Sequence, residues 1–263
     1  MDLSVFGYDQ MPLWLMGLLL FLALSVAREI GHALGKRRRA RVDQKDESQF
    51  DDGITMNSVL GLLALLIAFT FSLTLQRYDT RRALVIDEAN ALGTTWLRTQ
   101  LLDEGDRIRL QALLRQYVDL RLEFGLAQTP EAERISYGKA EAMQQEIWST
   151  MTQAVAPYRT TELASLLVTT TNEAIDLAAS RMAAREAHTP IRILRILLIY
   201  ALISAGTIGF QKGRHRAATT VLFLLLALAA MLIGDLDRPT AGGIRVSQQP
   251  MIDLQRSIAA PSP

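Results

Sequence analysis

The sequence predicts an all-α membrane protein: four transmembrane helices with a central extramembrane helical bundle inserted between the second and third. Three observations predict it. The apolar share, 49%, is close to that of soluble proteins, but the apolar residues are gathered into four nearly charge-free blocks. Residues between the second and third blocks repeat apolar side chains at intervals of three and four, the period of a helix with one buried face. Alternation of the kind that marks a strand is found nowhere.

The spans are expected at about 11–27, 54–75, 191–210 and 217–234. Ile54–Leu75 holds 22 residues and as a helix would reach about 33 Å, enough to cross the hydrocarbon core. Ala217–Gly234 holds 18, about 27 Å, which is just sufficient. The third block begins near Ile191 and accommodates Arg192 and Arg195 by snorkelling to the headgroups. Ser25-Val26-Ala27 resembles a signal-peptidase site, yet Asp2 and Asp9 precede the first block with no Lys or Arg, opposite to a signal peptide. The first block is therefore read as a retained anchor. The organisation expected is a first hairpin at 1–76, a helical domain at 77–190, a second hairpin at 191–235 and a C-terminal loop and tail at 236–263.

Loops 28–53 and 211–216 lie on one side of the membrane and together hold ten Lys/Arg. Short basic loops stay cytoplasmic, which places the central domain on the opposite side of a bacterial inner membrane. In that domain Leu110, Leu113, Leu114, Tyr117, Leu120 and Phe124 share one stripe, and Leu163, Leu167, Thr170, Ala174 and Leu177 another. Breaks are expected near Gly105, at Thr129-Pro130 and at Pro157, with Pro190 before the third span. Only Gly93 interrupts the run from Leu75 to Thr99, so the second span should continue into the domain as one helix. Small residues spaced for close packing in lipid mark Gly61, Ala64, Ala68 and Ser72, then Ala201, Ala205 and Gly209, then Ala227, Ala230 and Gly234.

A formal net charge of +1 and no basic-aromatic run argue against nucleic acid as a partner. The absence of cysteine excludes disulfides and thiolate chemistry. His32, His188 and His215 stand far apart, and no phosphate loop, nucleophile elbow or dinucleotide fingerprint is present. Neither enzymatic activity nor a cofactor is expected.

Three features carry candidate sites. At the end of the second span, Arg77, Tyr78, Arg81 and Arg82 form either a basic collar at a pore mouth, which would attract a small inorganic ion, or an ordinary interfacial anchor. Glu88 and Asn90 then sit among apolar residues, and if buried need polar partners, for which Asn172, Glu173 and Asp176 are the candidates. Asp235, Asp237 and Arg238 close the fourth span as an ion or proton site or as a helix stop with an Asp235–Arg238 pair. Gly242–Pro250 reads as a loop with a single strand.

Leu60-Gly61-Leu62-Leu63, Ala68-Phe69-Thr70-Phe71-Ser72, Arg77-Tyr78-Asp79-Thr80-Arg81-Arg82 and Glu88-Ala89-Asn90-Ala91-Leu92-Gly93-Thr94 together resemble the bacterial bestrophin-like family of uncharacterised membrane proteins. So does the ending, Asp235-Leu236-Asp237-Arg238-Pro239 and Gly243-Ile244-Arg245-Val246-Ser247-Gln248-Gln249-Pro250. The resemblance covers about 55–254. It implies kinship with bestrophins, pentameric anion channels with four spans per subunit, in which the domain after the second span is cytosolic; the basic loops here point the other way. Two readings stand: an oligomeric ion channel, with the lipid bilayer and further copies of the chain as partners, or a non-conducting structural or sensory module that binds a partner through its helical domain.

Overall fold

A computed structural model describes residues 11–40, 52–211, 216–240 and 242–259, with side chains of the second helix described from Met56 onward. The acidic N-terminus, residues 41–51 of the 28–53 loop, the turn carrying His215, and the Pro-Ser-Pro end lie outside the described residues. Among the described residues eight α-helices follow in chain order, α1 Leu13–Arg39, α2 Asp52–Thr99, α3 Glu104–Leu126, α4 Pro130–Ala154, α5 Glu162–Glu186, α6 Ile191–Phe210, α7 Arg216–Asp237 and α8 Gln249–Ala259. A 3-10 turn, Ala156–Tyr158, joins α4 to α5. No strand occurs among the described residues. Among the described residues four helical stretches are long and apolar enough to cross a membrane: Leu13–Arg39, Met56–Thr99, Glu162–Phe210 and Arg216–Asp237.

Helix boundaries follow local chemistry. Thr129 caps α4, its hydroxyl accepting from the Ala132 N–H at 3.2 Å, with Pro130 in the first turn, where a missing N–H costs nothing. Pro190 precedes α6 directly. Nothing breaks α2 over its 48 residues. The break expected near Gly105 falls just before it, at 100–103, and Gly105 itself lies in the first turn of α3. The last segment also departs from expectation. Residues 249–259 form α8, with Met251 and Ile258 buried, rather than a loop running on from a strand. Pro250, the last residue of the expected loop, stands in the first turn of α8, where proline is favoured.

The chain divides into two compact units. The first contains the described residues of Met1–Gln76, His188–Arg238 and Gly242–Ile244. Its core joins Leu24 of α1, Leu63 of α2, Ala201 and Ala205 of α6 and Phe223 of α7. Here α1 meets α6 at backbone distance. A Cβ on Gly31 would fall 1.9 Å from the Gly206 carbonyl oxygen, and one on Gly209 equally close to that of Arg28. Between α1 and α7 the fit is with side chains instead: Gly17 lies against the Met231 side chain and Gly234 against that of Met16. In lipid, where burying apolar surface gives little, such close approach supplies the packing.

The second unit contains Arg77–Ala187, Pro239–Ala241 and Arg245–Pro263, again for the described residues. Its larger core gathers Leu92 and Trp96 of α2, Leu114, Tyr117 and Val118 of α3, Ala140 and Ile147 of α4, Ala174 of α5 and Met251 of α8. A smaller core at one end joins Leu102, Leu110, Met151 and Leu167. These are the heptad-like positions that the sequence places on one face of each helix, and their burial holds the bundle together by the ordinary hydrophobic effect.

Candidate functional site

Charge is buried in the second unit. Glu88 of α2 is 0% exposed, as is Arg121 of α3, and Arg181 of α5 is 2% exposed. Arg121 donates through Nε and Nη2 to the two Glu88 oxygens. Arg181 donates through Nη1 to Glu88 Oε2 at 2.6 Å, and through Nη2 to Gln248 Oε1. One helical turn on, Arg185 grips Glu133 of α4 through Nε at 2.8 Å and Nη2 at 3.3 Å. The Phe124 ring lies among the three guanidiniums, 4.5, 5.3 and 4.8 Å from Arg121, Arg181 and Arg185, so its negative face offsets part of their mutual repulsion. Three cations thus share two carboxylates and one aromatic ring.

Burial works against the Arg121 charge, but Glu88 outweighs it, and the guanidinium is held above its ordinary range. Next to it, burial pushes the Tyr117 phenol up to about 12, while Gln144 donates to its oxygen at 2.7 Å. Neutral phenol and charged arginine therefore coexist one helical turn apart.

The partners expected for Glu88 require correction. Asn172 and Asp176 bond to each other at 2.8 Å on an exposed face, and Asn90 is exposed as well. The reason is register: Asn90 lies two positions past Glu88, on the other side of α2, while Asn172 and Asp176 flank rather than share the buried stripe Thr171, Ala174, Ala178, Arg181, Arg185. Arg121, Arg181 and Arg185 escaped the sequence reading because arginine is ordinarily assigned to surfaces. The signal was present nonetheless, since Arg121 stands four residues after Tyr117 and three before Phe124 on an otherwise apolar face.

The basic collar also divides. Arg82 is exposed, while Arg77 and Tyr78 are half-buried. Arg81 is 3% exposed; it donates to the Ala184 and Ala187 carbonyls at 3.0 and 2.8 Å and so caps the end of α5. Arg81 is thus turned inward and does not stand with Arg77 and Arg82 on an open ring.

The Asp235-Leu236-Asp237-Arg238 segment stitches the first unit. Asp237, 3% exposed, accepts from the Thr189 N–H at 2.9 Å and the Thr189 hydroxyl at 2.7 Å. That ties the end of α7 to the start of α6. Asp235 accepts from the Gly243 N–H in place of the expected Arg238 side chain, and Arg238 donates to the Met11 carbonyl at 2.6 Å. No cluster able to hold a metal ion occurs among the described residues.

Beside the arginine cluster lies a cavity of about 430 Å³ lined by residues of the second unit, among them Arg81, Arg181, Arg185 and Arg245. A second cavity, about 490 Å³ and almost wholly apolar, lies among α1, α2, α6 and α7 of the first.

Comparison with known proteins gives one result. The model of the bestrophin-like domain matches residues 19–251. No curated protein matches the chain, and no solved structure does.

Proposed function

The chain belongs to the bestrophin-like family and is a membrane protein; from that premise we propose that it is one subunit of an oligomeric ion channel, multi-pass in a bacterial inner membrane. In this reading the helices from residue 77 to 190 form an extramembrane bundle, the basic loops 28–53 and 211–216 are cytoplasmic, and α2 lies near the channel axis.

One observation carries the oligomer. In the first unit the glycines of α1, α6 and α7 are backed by neighbouring helices, whereas the α2 stripe Gly61, Ala64, Ala68 and Ser72 is exposed throughout, and a Cβ on Gly61 would meet nothing within 4 Å. A face built of small residues is suited to close approach by another helix in lipid. With the spans of this chain accounted for, a second copy is the partner of matching chemistry. The same helix then carries Arg77 and Arg82 at the end of its apolar run, which supports an anion-attracting mouth.

Two measurements test this. Mass determination in native lipid should give a ring of several copies for the wild type and dissociation for Gly61→Leu, with the helical content unchanged. Reconstituted in a planar bilayer, the wild type should conduct. A monomer removes the channel, and a ring silent at every pH and voltage leaves the non-conducting sensory module in its place.

A further inference from the structure

The cavity beside the arginine cluster has the features of a binding site for an anion, and it stands whether or not the chain conducts. Four arginines line it and no carboxylate does. The carboxylates that neutralise the cluster, Glu88 and Glu133, contact Arg181 and Arg185 without themselves lining the cavity. A guanidinium has five N–H donors. Arg181 spends two on Glu88 and Gln248, and Arg185 two on Glu133. Phe124 meets both cations through its ring face, a contact that consumes no donor. Each of these anchored arginines therefore keeps donors for another acceptor, already oriented by its carboxylate.

The cavity floor supports the same conclusion. A Cβ on Gly125 would fall 2.2 Å from Gln248 Oε1 and 2.6 Å from Arg181 Nη2, so only glycine leaves Arg181 and Gln248 in place at the wall. The remaining wall mixes Val85, Leu126 and Val246 with Ser247. At about 430 Å³ the space is within the range of small-molecule sites and much larger than one inorganic ion requires.

We propose that this cavity binds a small organic oxyanion, a phosphate monoester or carboxylate with a short apolar body, whose charged head is held by Arg181 and Arg185 and whose body lies against Val85, Leu126 and Val246. Fixed, partly desolvated guanidiniums recognise such a head by paired hydrogen bonds, and the apolar wall separates it from a bare ion.

The test uses the full chain in detergent, followed by thermal unfolding and calorimetry at constant ionic strength. Phenyl phosphate is the probe, inorganic phosphate and chloride are the comparisons, and mixed micelles containing phosphatidate ask whether a lipid headgroup is the source. Phenyl phosphate should raise the Tm saturably and bind at least roughly tenfold tighter than inorganic phosphate, the effect of about two buried methylene equivalents. Two variants should each weaken it roughly tenfold, each read against its own ligand-free Tm: Arg245→Gln, which removes one of the four lining charges, and Leu126→Trp, which narrows the space without altering charge. Stabilisation by phosphatidate, with no response to phenyl phosphate, keeps the oxyanion site and assigns it to lipid. Equal responses to chloride and phosphate, an effect identical in wild type and both variants, or no saturable response to any probe would overturn the proposal.

Discussion

The two units solve the same problem, holding helices together, with opposite materials. In the first, α1 meets α6 through glycine at backbone distance and α7 through glycine against methionine side chains, and residues 13–27, 54–76, 196–210 and 217–234 carry no Asp, Glu, Lys or Arg. The second packs Leu114, Tyr117 and Met151 and then buries Glu88, Arg121 and Arg181 with them. A solvent that cannot hydrogen-bond makes mid-span charge costly and apolar bulk worth little, so shape is what remains. In water apolar bulk drives packing, and buried charges persist only where each is paired. The difference teaches that the two units pack by different physical terms, which is what the proposed placement of the first in lipid and the second in water requires.

The sharpest break in the contrast is Glu88→Gln. It leaves Arg121 and Arg181 buried with no carboxylate between them and should cost about 3–5 kcal/mol, read by denaturant unfolding of the second unit. An equally large loss in the first unit's packing would mean the units are not separable in this way.

Tyr117 supplies a pH test of the same buried environment. Its folded pKa, about 12, lies above the ordinary value of 10, so the folded state holds a proton that the unfolded chain releases. Stability is then complete below about pH 10 and falls as pH rises toward 12, by up to about 3 kcal/mol. Tyr117→Phe should flatten that fall relative to the wild type.

Glycine substitutions sharpen the comparison from the membrane side. Gly209→Ala forces Cβ onto the Arg28 carbonyl, where backbone rather than a flexible side chain must move, and should cost about 1–3 kcal/mol. Gly61→Ala meets open space and should be neutral or slightly stabilising within one chain. Thermal unfolding in one detergent compares them directly. The smallest effect is expected at Thr129→Ala, about 1 kcal/mol from loss of the α4 cap, visible as lowered hydrogen-exchange protection in the first turn.

Periodicity, length and punctuation made most of the helices legible. The apolar blocks, the uninterrupted run through Thr99 and the Thr129-Pro130 start each follow from interactions within about one helical turn, which the sequence states directly. The break expected near Gly105 falls just before it, at 100–103, whereas the loop expected over Gly242–Pro250 missed the start of α8 at Gln249, because proline in the first helical turn is harmless. The polar partners were another matter. Glu88 could be marked as needing a counter-charge from its neighbours in α2, but Arg121 and Arg181 lie 33 and 93 residues away. Which cation reaches it depends on the rotation of α3 and α5 about their axes, a quantity no local pattern encodes. Likewise the glycines of α1, α2 and α6 look alike in sequence; the packing of α1 on α6 covers some of them and leaves Gly61 exposed. Local rules therefore determined where the chain is helical and which stretches favour lipid, because those terms are nearly additive along the chain. Only the tertiary arrangement decided which charges meet and where a cavity remains, because both depend on groups brought together from distant turns.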